Sequence, residues 1–143
     1  MKKIIVLGAT GNTGAYLIDY LFENIDKNEF EIIAAGRKKT NFFDRYGIKY
    51  FSVDISKKES LEILPKDNVH AVIFEAGILP ASMEGYKPEQ YLQINTIGAL
   101  NVLEFCRKNA VDRIIYTQTI REIGEYINTD TILSPDLPRK FSF

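Results

Sequence analysis

Gly8, Gly11 and Gly14 stand at three-residue spacing in Gly8-Ala9-Thr10-Gly11-Asn12-Thr13-Gly14, directly after an apolar run and before an amphipathic stretch. That placement suits a pyrophosphate. Small residues let the backbone turn sharply and approach the anion, whose charge then rests on free N–H groups at a helix N-terminus, with Thr10, Asn12 and Thr13 alongside. The same glycines would also serve tight strand-to-helix packing with no ligand at all. No Lys-Ser or Lys-Thr follows Gly14, so the loop is not a triphosphate-binding P-loop.

Some 20 residues on, an acidic side chain would hold the adenosine ribose 2′-hydroxyl of NAD; the chain instead reads Ala35-Gly36-Arg37-Lys38-Lys39. A guanidinium and two ammonium groups suit a 2′-phosphate, so Arg37 and Lys38 favour NADP, with NAD as the alternative. An ordinary solvated basic turn would have the same composition. In Val53-Asp54-Ile55 a carboxylate falls where adenine would lie. Asp54 could accept from the adenine amino group while Ile55 covers the ring. It could equally cap the helix that follows, for which Ser56 is the better-placed cap.

Other reactive side chains point elsewhere. His70 has no cysteine or second histidine beside it to build a metal site and reads as structural or surface. Cys106, between Phe105 and Arg107 on a helical stretch, reads as a small buried hydrophobe. Glu75 interrupts an apolar strand at its C-terminal end, where it either faces a ligand or reaches solvent.

The elements that must position these residues follow from periodicity. The run Ile4-Ile5-Val6-Leu7 within Lys2–Leu7 predicts a strand buried on both faces. Leu17, Ile18, Leu21, Phe22 and Ile25 form the stripe of a helix over residues 13–25. Strands are then expected at 30–35, 48–53, 69–76 and 113–117, and helices at 41–46 (stopped by Gly47), 57–64 (ended by Pro65) and 88–109 (Pro88 in its first turn). Such alternation builds βαβ units, hence an α/β parallel sheet wound on both sides. From residue 124 to 143 there is no periodicity, and residues 125–143 read as a loop or tail.

Composition narrows the partners. A formal charge of −1 lacks the basic excess that neutralises nucleic-acid phosphates, and no run is apolar enough for a membrane. One cysteine and a chain that opens on a strand without a leader pattern lead to the expectation of a reducing cytoplasm.

Taken in order, Gly8–Gly14, Asp54-Ile55, the strand Ala71-Val72-Ile73-Phe74-Glu75-Ala76-Gly77 and the helix Asn95-Thr96-Ile97-Gly98-Ala99-Leu100-Asn101-Val102-Leu103-Glu104 resemble the extended short-chain dehydrogenase/reductases, specifically the NAD(P)-dependent epimerase/dehydratase group. The resemblance covers residues 1–124. It implies a Rossmann-type doubly wound sheet of about five strands, with Ala76 and Gly77 passing close to the cofactor and Asn95 supporting the active-site backbone. It also implies hydride transfer on a nucleotide-sugar-like or carbonyl substrate, and a homodimer paired through the helix of Asn95. Thr117 ends the fifth strand, and Gln118 and Thr119 stand where the family carries two serines, so Thr119 takes the catalytic serine's role.

The family's proton donor is a tyrosine in a Tyr-x-x-x-Lys pair, and none of the eight tyrosines here has lysine at that spacing. The chain therefore reads as a cofactor-binding domain over residues 1–143, ended before the catalytic helix and the substrate lobe, and inactive alone. A non-catalytic, redox-sensing NADP module is the second reading. A third places a flavin or methyl donor on the same loop.

Overall fold

Isoleucines and valines at the start of the chain form a central strand because both of its faces are covered. The computed structural model describes residues 1–78, 87–117, 130, 134 and 136. Its strands are β1 (Lys2–Leu7), β2 (Phe30–Gly36), β3 (Lys49–Ser52), β4 (Val69–Phe74) and β5 (Ile114–Tyr116). They form one parallel sheet in the order β3-β2-β1-β4-β5. The chain thus runs outward on one side of β1 and then crosses over to build on the other. Between β1 and β4 lies the switch point where ligands bind in such sheets.

Alternate residues of β1 feed two separate cores. Ile4 and Val6 face the helix α1 (Asn12–Asn24), whose Leu17, Ile18, Leu21 and Phe22 pack there together with Phe43. Ile5 and Leu7 face the other side, against Leu61, Val102, Phe105 and Cys106. Ile5, Val6, Ile18, Ile33, Val72 and Val102 are fully buried, and each such side chain contributes about 1.5–3 kcal/mol relative to exposure. The amphipathic stripe expected on α1 is the one observed.

Several elements are shorter or tighter than their patterns suggest. The stretches expected as helices at 41–46 and 57–64 are 3-10 turns, Phe42–Tyr46 and Lys58–Ile63. Each has room for little more than one turn between strands, where i to i+3 bonding suffices. Gly47 ends the first in a left-handed conformation, and Leu64 is extended ahead of Pro65. The helical stretch at 88–108 is continuous but not uniform: α2 (Pro88–Tyr91), a π-helical segment Leu92–Gly98 and α3 (Ala99–Lys108).

One irregularity lies inside the sheet. β1 and β4 pair Lys3 with Val69 and then Ile4 with Ala71, so His70 is an extra residue bulged out of the ladder. Its ring sits 5.5 Å from that of Phe30, a packing role consistent with the structural reading of this residue. No helix among the described residues is long and apolar enough to cross a membrane.

Cys106 is 1% exposed in the core beneath α3, and burial pushes its thiol up to about 11. At pH 8 roughly one such thiol in a thousand is ionised. An aromatic disulfide reagent is therefore expected to leave the native chain unlabelled and to label it completely in denaturant. Rapid labelling in native buffer would show that this core is not closed.

Candidate functional site

Backbone hydrogen bonds tie the turn between β1 and α1 to β2 and to itself. Gly8 N–H and Ala9 N–H both donate to the Ala35 carbonyl, at 2.9 and 3.0 Å, and Gly11 N–H donates to the Gly8 carbonyl at 2.8 Å. Gly8 adopts φ +90°, a conformation open to glycine at little cost. A Cβ there would lie 2.6 Å from the Ala76 nitrogen and from the Glu75 carbonyl carbon, and one on Gly14 would lie 2.3 Å from the Gly8 oxygen. Both glycines are thus demanded by packing, because the turn rests on the end of β4 and α1 rests on the turn. Gly11 differs: it is exposed, and its Cβ would lie 3.1 Å from the Gly8 oxygen.

What this packing leaves on the outside is an anion site in form. Gly11 is the N-cap residue of the 13-residue helix α1, with no side-chain cap and no acidic residue in the first turn. Asn12 and Thr13 are exposed beside it. The first amides of a helix have no intrahelical acceptor, so this end presents donors and a positive dipole to solvent. A dinucleotide pyrophosphate fits such a bare cradle, and Gly8, Gly11, Asn12, Thr13 and Gly14 are the residues that would hold it.

Beside the cradle, the basic turn stands open. Arg37, Lys38 and Lys39 are exposed, and none of the three makes an ion pair among the described residues. Lys38, Lys39 and Thr40 line a pocket of about 310 Å³ together with Thr10 and Ala9 from the glycine turn and with Phe42 and Phe43. Three cations with no carboxylate partner suit a dianion, whereas a carboxylate at this place would suit a ribose diol.

Asp54 closes the turn after β3 itself. Its Oδ1 accepts the Ser56 N–H at 3.1 Å and the Ser56 hydroxyl at 2.7 Å, and its own N–H donates to Ser60 Oγ at 2.8 Å. Ser56, the better-placed cap by sequence, is instead a donor in this turn, because the helical turn begins two residues later, at Lys58. The second oxygen of Asp54 makes no hydrogen bond among the described residues.

The helix at 88–108 clamps the loops that follow β3 and β4. Asn95 pairs with Ile78 in both directions, accepting its N–H and donating to its carbonyl, each at 2.9 Å. Asn101 donates to the Ile55 carbonyl at 2.8 Å, and Gln93 donates to the Ser56 carbonyl at 3.1 Å. Between them Gly98 admits Ile55: a Cβ there would lie 2.8 Å from Ile55 Cγ1. The π-helical segment spans Asn95 and Gly98, a wider turn of the kind often found at functional sites. Gly77 lies against the same asparagine, its missing Cβ 3.4 Å from Asn95 Oδ1. Asn95 therefore holds the backbone at Ile78, just past the end of β4.

Glu75 is half-buried and has a partner at the exposed strand edge. Its carboxylate accepts the Thr117 hydroxyl at 2.5 Å across the ends of β4 and β5. Thr119 and the rest of 118–129 lie outside the described residues, as does the 125–143 tail apart from residues 130, 134 and 136. Sequence reasoning missed Gln93, Thr40 and Tyr50, which act through backbone carbonyls or pocket shape and carry no motif. No group of three or more His, Cys, Asp or Glu side chains that could hold a metal occurs among the described residues.

Known proteins resemble this chain in sequence and in fold. The model of the NAD dependent epimerase/dehydratase family matches residues 4–139. The chain is 30% identical over 122 residues to the UDP-N-acetylglucosamine 4,6-dehydratase (inverting) of Campylobacter jejuni, covering 82% of this chain and 36% of that one. It is 27% identical over 125 residues to the UDP-glucose 4-epimerase of Streptococcus mutans, covering 85% and 37%. A solved UDP-glucose 4-epimerase of Thermus thermophilus, in complex with NAD, matches with a TM-score of 0.74 at 20% identity over 96% of this chain and 44% of that one, which shows a shared fold. The chain thus spans 36–37% of the length of these curated relatives.

Gly47 provides a control for the close approach at Gly8. It too has positive φ, at +67°, but nothing lies within 4 Å of the Cβ it lacks. Gly47→Ala is expected to cost about 1 kcal/mol for the backbone conformation alone. Gly8→Ala adds immovable backbone contacts and is expected to cost about 3 kcal/mol or more. Urea unfolding midpoints measure both, and equal losses would show that the crossing over β4 imposes no steric demand.

Proposed function

Since the chain belongs to the NAD dependent epimerase/dehydratase family, we propose that it is the dinucleotide-binding part of an enzyme that moves hydride between NADP and a carbon of a nucleotide-sugar-like or carbonyl substrate. The observation that carries the NADP assignment is the trio of cations without ionic partners at the end of β2, beside a bare helix N-terminus. The pyrophosphate rests on Gly8, Gly11 and Gly14 with the amides of Asn12 and Thr13. Arg37 and Lys38 take the 2′-phosphate, with Thr10 across the pocket. The free oxygen of Asp54 accepts from adenine, while the Ile55 backbone is held by Asn101. Ala76, Gly77 and Thr117 line the strand edge toward the nicotinamide, braced by Asn95. When bound, the cofactor supplies the hydride; the residues named here bind and orient it.

Thr119 takes the hydroxyl role next to the substrate carbonyl. The family's Tyr-x-x-x-Lys pair has no match in the 143 residues, so this chain by itself binds dinucleotide and turns over little. The same lack favours the second reading, a non-catalytic NADP-binding module that reports redox state to a partner. Steady NADPH consumption with carbonyl substrates would contradict both accounts of the chain on its own.

Calorimetric titration of NADPH and NADH decides the cofactor. Tighter binding of NADPH is expected, with Arg37→Ala weakening NADPH about 10- to 100-fold, the range for a hydrogen bond to a charged group, and changing NADH little. Raising ionic strength should weaken NADPH more steeply than NADH, because the cations are exposed and screened. Equal affinities, unchanged by Arg37→Ala, would remove the NADP assignment.

A further inference from the structure

Tyr50 lies on β3, distant in sequence from both halves of the pocket, yet its phenol oxygen is where they meet. The hydroxyl reaches the Gly36 carbonyl at 2.8 Å and also the Lys38 carbonyl. The Thr10 side chain, from the glycine turn, comes close to the same spot, its Oγ1 and the Tyr50 hydroxyl both lying over Gly36. A phenol with one donor and two acceptor positions has the capacity for such a junction, donating to one carbonyl at a time with its acceptor positions left toward Thr10. Burial raises its pKa above the usual tyrosine value, against the opposing pull of Thr10, so the proton it donates is retained.

Gly36 shows the same junction from the other side. A Cβ there would lie 2.9 Å from Thr10 Oγ1 and 3.2 Å from the Tyr50 hydroxyl, so the two side chains close over a spot that glycine leaves open. The ring is fixed as well, stacked on Phe43 with centroids 5.3 Å apart and planes 14° apart. By contrast, the other side-chain tie on the basic turn's own backbone is weaker: Ser52 Oγ donates to the exposed Arg37 carbonyl at 3.3 Å. Thr40 Oγ1 caps only the next turn, accepting from Phe42 N–H.

We infer that Tyr50 is a positioning residue for the phosphate end of this pocket. Its hydroxyl fixes the backbone at Lys38 against Thr10, and so sets the discrimination between 2′-phosphorylated and unphosphorylated adenosine. This rests on the NADP reading above and adds to it a residue that need not touch the ligand.

The test compares 2′,5′-ADP with 5′-AMP as probes of the adenosine end alone, by calorimetry on the chain, Tyr50→Phe and Tyr46→Phe. Tyr50→Phe keeps the ring and its stack on Phe43 and removes only the hydroxyl. It is expected to lower the preference for 2′,5′-ADP about tenfold, the effect of one hydrogen bond in a binding loop, with 5′-AMP affinity within about twofold. Hydrogen exchange of the amides at 37–40 should rise in the same variant. Tyr46→Phe also deletes a half-buried phenol hydroxyl, one bonded to Asp19 at 2.5 Å, and so controls for a general loss of stability. It should leave the ratio unchanged.

If the wild-type chain prefers 2′,5′-ADP and Tyr50→Phe preserves that ratio, the inference is overturned while the NADP reading stands. Should Tyr46→Phe lower the ratio as much as Tyr50→Phe, the effect is one of stability and the inference again fails. Equal binding of the two probes by the wild type, or none, removes the NADP reading and this inference together.

Discussion

The structure depends on one close approach of backbone to backbone, where the turn after β1 crosses the end of β4 at the point where the sheet changes direction. Gly8 lies against Glu75 and Ala76 with no space for a side chain, and Gly14 brings α1 down onto Gly8. The glycine turn, the start of α1 and the neighbouring end of β2 take their positions from that contact. The helix N-terminus is aimed across the strand edge because α1 leaves the turn there, and the basic turn stands beside it because Gly8 and Ala9 are bonded to β2 through the Ala35 carbonyl. The geometry that packing demands of these glycines is also the geometry that the proposed pyrophosphate site needs: what the fold removes to bring strands together is what an anion would otherwise collide with.

A second layer of constraint comes from the long helix. Asn95, Gly98 and Asn101 hold the loops after β4 and β3 by two side-chain clamps and one missing Cβ. Asp54 uses one oxygen to close its own turn, and that turn is tied to the helix through Ser56 and Ile55. Loops at a strand edge would ordinarily be the most mobile part of such a domain. Here carbonyls at Ile55, Ser56 and Ile78 and the Ile78 amide are satisfied by side chains rooted in a helix that packs on the core, so the loops are held by fixed partners.

Much of this was legible in the residues. The β-branched runs of β1, β2 and β4 and the stripe on α1 are long enough for periodicity to decide, and tight turns admit few alternatives to glycine. The π-helical segment Leu92–Gly98 left no trace, because its apolar pattern differs little from that of a regular helix over seven residues. Neither Asp54 nor Ser56 caps the helical turn, which starts from Lys57 without a side-chain cap, because capping depends on where a turn starts to within one residue. Tyr50 was invisible for a different reason. Its contribution lies in carbonyls of Gly36 and Lys38 that carry no sequence identity, so no residue type elsewhere in the chain advertises the partner.

The bulge at His70 has a reach well beyond its own packing. On β4, Val69 belongs to the same core as Val72 and Phe74, although strict alternation would put 69 and 72 on opposite faces. The extra residue resets the phase of the strand, and Glu75, following Phe74, emerges on the side of Ile73 and meets Thr117. Five steps along the chain, about 16 Å of extended backbone, separate that irregularity from the carboxylate whose face it selects. In coding terms, His70 is an insertion that shifts the reading frame of inside and outside, and the polar end of β4 is written in the shifted frame.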